Sequence, residues 1–385
     1  MALLDNLRSA FKGGAHPRVP LSGAMMHGWY PACEVACGSR PFEYTRAIAE
    51  GFLANPIAQR SVRLLAEGIG QAPLHCSDQR LARLVTATSA GQSLVETLAA
   101  HLLLHGNGYV QILKDASGVP VELFALRPER VQVVLDHKGW PCAYDYAVSG
   151  ETAKLPLVDE DGWPETIAIR TMHPLNDHNG AGALQAAWQA VLIHNAATHW
   201  NRALLENAAR PSGALVYETG DGATLAQEQF ERLKRELEIA FSGAANAGRP
   251  MLLDGGLKWQ SMALTPADMD FATLKSAAAR DIALAFGVPP MLLGLPGDNT
   301  YANYREANRA LWRLTLLPLA EKIFASLREG LAPWFPEAVL AIDLDQVPAL
   351  SEDRERLWSQ VSDADFLSRA EKRQMLGLPP EENVA

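Results

Sequence analysis

Residues 265–300 have the sequence TPADMDFATLKSAAARDIALAFGVPPMLLGLPGDNT, and this stretch decides the fold of the chain. Thr265-Pro266 supplies an N-cap followed by proline at the first helical position, which predicts the start of a helix. The helix is expected to end at Gly287, because Pro289-Pro290 cannot continue it. About 22 residues with a rise of about 1.5 Å each give a helix of about 33 Å. An apolar loop with two glycines and a proline follows.

A second long helix is predicted upstream, from about residue 183 to residue 209. It is rich in alanine, and Pro211 ends its helical pattern. Between the two helices lies a compact insert, with strand candidates at residues 214–217 and 257–260 and an amphipathic helix between them. Two long helices that flank a small αβ insert predict an antiparallel stalk with a knob at its end.

The region before these helices combines helices and strands, so the chain as a whole is predicted to be α+β. In residues 51–182, helical spacing gives way to strands separated by glycine-containing turns. The predicted helices cover residues 57–68 and 92–104, and the predicted strands cover residues 109–113, 121–126, 131–135, 143–148 and 166–170. Glycines and prolines interrupt residues 1–50, so we expect a loosely ordered arm there, with regular structure beginning near Asn55-Pro56.

A long helix is predicted after the loop, from about Thr300 onward, and Pro318 is expected to interrupt it. A strand is predicted at residues 339–344, and helices are predicted at residues 351–361 and 368–376. These short elements form a separate group at the C-terminal end of the sequence.

The composition is that of a folded protein, because 48% of the 385 residues are hydrophobic and 20% are charged. The net charge is −10 at pH 7, and the sequence contains no basic run. Proteins that grip duplex DNA neutralise its phosphates with a basic patch, so a DNA-gripping domain is not expected. The acidic charge is compatible with a protein past which DNA slides, because strong phosphate contacts would slow the DNA.

The four cysteines fit neither a zinc site nor a disulfide framework. Cys33 and Cys37 are four residues apart, but no second close pair of cysteines or histidines would complete a zinc site. We therefore expect free thiols in a reducing compartment. No segment has the roughly 18–20 continuous apolar residues of a membrane span, and the N-terminus does not resemble a signal peptide.

The candidates for catalytic or metal chemistry are weak. Gly294 and Gly297 precede a helix, but no Lys-Ser or Lys-Thr pair follows, as a phosphate-binding loop would require. His173, Asp177 and His178 lie in a loop-rich stretch, and a solvated loop explains them better than a metal site. Nucleophile-elbow and H-E-x-x-H motifs are absent from the sequence. We therefore predict no catalytic residue, no metal and no cofactor.

Three regularly spaced arginines form the charge pattern that is most relevant to function. Arg305, Arg309 and Arg313 recur every four residues, so they lie in one stripe on the helix after the loop. The stripe is a candidate contact for DNA phosphates or for a neighbouring subunit. The alternative is a solvated face that Glu306 partly neutralises.

An ordered set of motifs gives the chain a family likeness. The motifs are Ala209–Gly213, Leu253–Trp259, Gly287–Gly294, Asn299–Asn303, Leu316–Leu319 and Leu376–Pro380. Together they resemble the portal proteins of tailed phages whose capsids use the Hong-Kong-type fold, over about residues 52–381. The compact length also resembles the portals of gene transfer agents, which are domesticated phage-like particles.

The resemblance implies a portal fold with named segments. They are an N-terminal arm (1–50), a wing (51–182), a first stem helix (183–210), a clip (211–264), a second stem helix (265–288), a tunnel loop (289–300), a kinked wing helix with a strand (301–345), and a small helical crown with the C-terminal tail (346–385). The implied channel residues of the tunnel loop are Leu292, Leu293, Gly294, Leu295, Pro296, Gly297, Asp298 and Asn299. The implied docking residues of the clip are Tyr217, Phe230, Arg232, Leu233 and Trp259.

The resemblance also implies a function. The chain would form a ring of twelve subunits at one capsid vertex of a particle assembled in the host cytoplasm. The ring would be a passive channel for packaging and ejection of double-stranded DNA of any sequence. Its partners would be a large terminase, head-tail adaptor proteins and the major capsid protein, with no membrane. Two alternatives are a monomeric scaffold or adaptor of a particle, and a nucleotide-dependent enzyme.

Overall fold

The computed structural model describes residues 42–89, 91–206, 213–217, 257–261, 271–297 and 300–377, together with five helical residues between 227 and 235. The helices are α1 (Tyr44–Ala47), α2 (Pro56–Gly70), α3 (Gln79–Thr86), α4 (Leu94–Leu104), α5 (Ala183–Glu206), α6 (Phe271–Ala285), α7 (Tyr301–Leu311), α8 (Leu317–Leu331), α9 (Ser351–Ser362) and α10 (Arg369–Leu376). The strands are β1 (Leu74–Cys76), β2 (Thr88–Ser89), β3 (Gln92–Ser93), β4 (Asn107–Lys114), β5 (Pro120–Leu126), β6 (Val131–Leu135), β7 (Pro141–Val148), β8 (Glu151–Pro156), β9 (Thr166–Arg170), β10 (Gly213–Tyr217), β11 (Leu257–Ser261) and β12 (Leu340–Ile342). This α+β content agrees with the predicted fold class.

The first helix among the described residues is α1, which starts eleven residues before the predicted start of regular structure near Asn55. The chain continues from α1 into a π-helical turn at Ile48–Leu53. Phe42 meets the ring of Trp188 edge-on at 6.0 Å, and Gly51 packs against Leu184. Both partners belong to α5, so the segment of residues 42–53 packs against the first long helix.

Helices α2 and α4 pack against each other at the centre of the main core. The α2 side chains of Val62, Leu65 and Ile69 are buried, as are Leu98 and Leu102 of α4. Complete burial of each of these aliphatic side chains contributes roughly 2 kcal/mol to folding. The main core therefore anchors the elements that pack around it.

Two three-stranded antiparallel sheets follow α4. In the first, β4 lies between β5 and β9, and in the second, β7 lies between β6 and β8. The rings of Tyr109 and Tyr144 connect the sheets, with their centroids 5.0 Å apart. They form a small second core with Leu126 and Leu155.

The two long helices α5 and α6 pack along each other. Their predicted ends at residues 207–210 and 265–270 lie outside the described residues. Between them in the chain, β10 pairs antiparallel with β11, from Gly213 opposite Ser261 to Tyr217 opposite Leu257. The described parts thus contain the helix, hairpin and helix in the predicted order.

The predicted break at Pro318 is a π-helical segment, Trp312–Leu316, between α7 and α8. The N–H of Leu317 donates to the carbonyl of Trp312, five residues earlier. Pro318 has no N–H for the helical hydrogen bond and its ring crowds the carbonyl four residues earlier, which favours such a bulge. The helix therefore continues through the irregular turn instead of stopping.

The C-terminal elements are tied back to the wing region. Strand β12 pairs antiparallel with β1, with Leu74 opposite Ile342. Helices α9 and α10 contact each other, and Ser368 with Glu371 forms a capping box at the start of α10. Among the described residues, every helix is too short or too polar to span a membrane.

Candidate functional site

The first half of the predicted channel loop is built into the fold. Pro289 is extended, and a 3₁₀ turn follows at Pro290–Leu293. The N–H of Leu292 donates to the carbonyl of Pro289 at 3.0 Å. The side chains of Leu292 and Leu293 are partly buried against the main core. Leu292 and Leu293 are two of the implied channel residues, and in the single chain the apolar turn places them partly against the protein.

The exposed part of the loop begins at Gly294, which has a left-handed backbone with φ of 72°. Pro296 and Gly297 are also exposed, whereas Leu295 is half-buried. Arg280 of α6 donates a side-chain hydrogen bond to the carbonyl oxygen of Pro296. Asp298 and Asn299 lie outside the described residues. The described tip is therefore short and is tied to the second long helix.

A second tie holds the start of the loop. Gly287 follows α6 with a left-handed backbone, at φ of 67°. The hydroxyl of Thr315, in the π-helical segment, donates to the Gly287 carbonyl oxygen at 2.8 Å. A Cβ on Gly287 would lie 2.9 Å from the Thr315 Oγ1 atom. The end of α6 and the bulge of the kinked helix are thus in direct contact.

The arginine stripe faces acidic side chains of the same chain. Arg305 and Arg309 each lie 2.7 Å from a carboxylate oxygen of Glu352. Asp353 lies 3.5 Å from Arg309 and 4.0 Å from Arg313. We refer to these five residues, Arg305, Arg309, Arg313, Glu352 and Asp353, as the charged seam.

The charged seam joins α7 and the following π-helical segment to the first turn of α9. The sequence pattern predicts the stripe and indicates Glu306, which accepts from Arg309 at 3.1 Å, but it does not predict Glu352 and Asp353 as partners. Their position carried a signal, because acidic residues in a first helical turn are stabilised by the helix dipole. The side chain of Arg309 is 16% exposed, whereas those of Arg305 and Arg313 are 49% and 64% exposed. Arg309 is therefore the best enclosed of the three.

The predicted clip residues are only partly within the described structure. Tyr217 and Trp259 are strand residues of β10 and β11. Arg232 is helical and exposed. Phe230 and Leu233 lie outside the described residues.

A polar cluster that the sequence analysis missed joins the first long helix to α2. Asn55 caps α2 through its Oδ1 atom, which accepts from the N–H groups of Ile57 and Ala58. Its Nδ2 atom donates to Asn195 Oδ1 at 2.9 Å and lies 3.2 Å from Nδ1 of the buried His194. Burial lowers the pKa of His194, and the charge of Lys275 lowers it further. A neutral His194 ring can accept the second Asn55 N–H, so the cluster holds the two helices in one arrangement.

Several large apolar side chains of the long helices and the bulge face solvent in the single chain. Ile193 of α5 is 44% exposed, Leu274 and Leu284 of α6 are 44% and 77% exposed, and Leu314 is 76% exposed. Tyr301 and Tyr304 at the start of α7 are 79% and 51% exposed. These side chains are candidates for burial against a partner, since large apolar patches on a surface are typical of interaction sites.

Within the described residues, no group of three or more histidine, cysteine or acidic side chains is placed to bind a metal. Cys76 and Cys142 are free thiols, and Cys33 and Cys37 lie outside the described part of the chain. His173 Nδ1 accepts from the N–H of Leu175, as expected for a local loop contact.

The fold, the ordered motifs and the loop agree with a match to a protein-family model. The family described as phage portal protein matches residues 56–377. The chain belongs to the phage portal protein family. This confirms the resemblance that the motifs indicated, and portal proteins are structural components of particles rather than a family of enzymes.

Individual relatives support the same assignment. The chain is 48% identical to a chain in the neck of a native gene transfer agent particle computed with C12 symmetry, with a TM-score of 0.67 over 89% of this chain and 95% of that one. A protein of Rickettsia felis is 39% identical over 345 residues, which are 86% of this chain and 88% of that protein. An HK97-family phage portal protein from Corynebacterium diphtheriae is 18% identical, with a TM-score of 0.57 over 80% of this chain and 98% of that one. At this low identity, the last match indicates a shared fold alone.

Proposed function

We propose that this portal protein forms a closed ring of twelve subunits at one vertex of a gene transfer agent or a related phage-like particle. The observation that carries the proposal is the 48% identity to a chain of a gene transfer agent neck with C12 symmetry. The ring encloses the channel through which double-stranded DNA enters and leaves the particle. Its role is passive, without catalysis of its own.

The exposed apolar side chains of the long helices support ring closure. In a ring, each subunit presents one face to its neighbour on either side, so every subunit buries two different surfaces. Ile193, Leu284 and Leu314 are candidates for these surfaces, because they are exposed in the single chain. Their burial against neighbours would add hydrophobic stabilisation that an isolated subunit lacks.

The loop and the net charge support the channel. We propose that the tip formed by residues 294–299 faces the DNA at the narrowest part of the channel, with Leu292 and Leu293 as its base. The net charge of −10 favours sliding over tight binding, because acidic residues outnumber basic ones, 44 to 34, and the sequence has no basic run that would neutralise phosphates. DNA of any sequence would pass, since no base readout is needed.

The remaining segments are proposed docking surfaces. The clip, with Tyr217, Arg232 and Trp259 in its described part, would bind the large terminase during packaging and head-tail adaptor proteins afterwards. The wing would contact the major capsid protein at the vertex. The charged seam would hold the crown on the wing helix, and its exposed members, Arg305 and Arg313, remain candidates for a subunit or DNA contact.

The channel role is tested by replacing residues 295–298 with Gly-Ser-Gly-Ser, which spares the partly buried Leu293. The account predicts that rings form in normal yield and that particles contain at least several-fold less DNA. A matched control replaces the turn residues 115–118, which lie between β4 and β5 away from the loop.

Two outcomes would contradict the proposal. Normal DNA content in particles with the replaced loop would show that the tip has no part in the channel. Loss of rings in the loop variant, with normal rings in the control, would mean that the tip is an assembly element.

A further inference from the structure

Two side-chain hydrogen bonds hold the loop on either side of its 3₁₀ turn. On the N-terminal side, the Thr315 hydroxyl donates to the Gly287 carbonyl at 2.8 Å. On the C-terminal side, the Arg280 guanidinium donates to the Pro296 carbonyl. The two donors come from different elements, namely the π-helical segment after α7 and the long helix α6.

The Thr315 contact depends on the irregular turn in the wing helix. The π-helical segment contains one residue more in its turn than an α-helix would, and it shifts the side chains that follow. Thr315 lies within this segment, and its hydroxyl contacts the backbone just after α6. Gly287, whose backbone is left-handed, lies very close to Thr315. A Cβ atom on Gly287 would be 2.9 Å from the Thr315 hydroxyl oxygen.

The Arg280 contact fixes the other end. Arg280 lies on α6 near the buried Ala279 and Ile282, which hold this part of the helix in the packed stem. The exposed guanidinium donates to a loop carbonyl 16 residues later in the chain. A planar fork of N–H donors makes this contact directional.

Between these two hydrogen bonds, the side chains of Leu292 and Leu293 pack partly against the main core, and the backbone contacts of the turn are local. The N–H groups of Leu292, Gly294 and Leu295 donate to carbonyls within the same short turn. A Cβ on Gly294 would meet no atom within 4 Å. The direction in which the tip leaves the core therefore depends on the points where the turn is attached.

We infer that Thr315 and Arg280 are positioning residues that set where and in which direction the loop tip leaves the core. The contacts of both residues exist in the single chain and do not require DNA. The consequence for DNA passage rests on the proposed function of the loop.

Hydrogen exchange of assembled rings without DNA tests the positioning role. Thr315→Val removes the hydroxyl at constant shape, and the amides of Leu292, Gly294 and Leu295 should exchange about fivefold faster, the factor that one lost hydrogen bond of about 1 kcal/mol produces. Arg280→Gln should accelerate the same amides roughly threefold, because its contact is exposed. Thr315→Ser and Arg280→Lys keep a donor and should restore slow exchange.

The control is Asp281→Asn, next to Arg280 on the same helix and also exposed. It should leave loop exchange unchanged, and exchange in α2 should stay unchanged in all variants. Native loop exchange in both Thr315→Val and Arg280→Gln would overturn the inference. Equal acceleration throughout the chain would also overturn it, because that is the result of general destabilisation.

The DNA content of particles separates this inference from the proposed function. If Thr315→Val accelerates loop exchange and also lowers packaged DNA, both are supported. If it accelerates loop exchange while replacement of residues 295–298 leaves the DNA content normal, the positioning role stands and the channel role fails. If loop replacement lowers the DNA content but neither single variant alters loop exchange, the channel role stands and the positioning role fails.

Discussion

Gly287 and Gly294 have similar left-handed backbones, with φ of 67° and 72°, but different surroundings. A side chain at Gly294 would meet open space, whereas a side chain at Gly287 would meet Thr315. Gly294→Ala should therefore lower the free energy of unfolding by about 1 kcal/mol, because backbone strain is its only effect. Gly287→Ala should cost ~2–3 kcal/mol, because steric contact adds to the same strain.

Urea unfolding of the two variants measures this difference. Equal losses of unfolding free energy would mean that the Gly287–Thr315 contact relaxes without cost. A combined Gly287→Ala, Thr315→Ser variant provides a control, since serine lacks the methyl group that adds to the crowding at this site.

His101 of α4 should make the stability of the protein depend on pH. Its ring is largely enclosed, and its Nδ1 atom has no hydrogen-bond partner among the described residues. Burial lowers the pKa of His101 to about 4 from an ordinary value of 6.5, and the charges of His105 and Arg127 act in the same direction. The unfolded chain therefore takes up a proton near pH 6.5 that the folded chain does not take up until about pH 4.

The neutral, buried ring of His101 makes its full contribution to the free energy of unfolding above pH 6.5. This contribution is lost as the pH falls towards 4. At pH 4, the free energy of unfolding is lower by about 3 kcal/mol for this reason. His101→Leu should flatten the decrease in unfolding free energy between pH 6.5 and 4, measured by urea unfolding against the native chain. Parallel pH profiles for the two proteins would show that His101 ionises normally in the folded state.

At the scale of elements, the charged seam connects α7 and the following π-helical segment to the first turn of α9. Arg309 is the most enclosed arginine of the seam and contacts Glu306, Glu352 and Asp353. Exposed ion pairs contribute well under 1 kcal/mol, and enclosed pairs with several partners contribute more. The seam should therefore depend mainly on Arg309.

Arg309→Gln should release the first turn of α9, with faster hydrogen exchange over residues 351–362 and a loss of about 1 kcal/mol. Arg313→Gln is the matched control and should have a much smaller effect, because Arg313 lies 4.0 Å from its nearest carboxylate. High salt should weaken the native contact in the same direction. Unchanged exchange of α9 in Arg309→Gln, with altered ring stability or altered packaging, would assign the stripe to a neighbouring subunit or to DNA instead.

Local sequence signals predicted elements whose ends are set locally. Strands β6 and β9 were predicted with their observed ends, and α4 was predicted within two residues at its start, because turn residues and apolar periodicity mark them. Strand β8 was missed because most of its side chains are exposed, which leaves no alternating pattern. Helix α3 was missed because only three of its residues, Leu81, Leu84 and Val85, are buried.

Contacts between distant residues were outside the reach of sequence patterns. The spacing of Arg305, Arg309 and Arg313 predicted a shared face but not its partner, because Glu352 is more than forty residues away. The same holds for Thr315 with Gly287 and for Asn55 with His194. The residues of the candidate loop could be named from motifs, whereas its attachment points required the three-dimensional arrangement.

At the scale of the whole molecule, the account requires that the single chain is incomplete. Its long helices expose apolar side chains, the proposed channel would lie between subunits, and a related neck was computed with twelvefold symmetry. A closed ring explains these features together, because heterologous contacts that close leave no unpaired surface.

The most direct test of this central claim is electron microscopy of the purified full-length chain, with light scattering on the same sample. The account predicts rings with rotational symmetry and a central opening, and a mass of about 500 kDa for twelve subunits of 41.8 kDa. A stable monomer at high protein concentration, with no rings in the class averages, would contradict it.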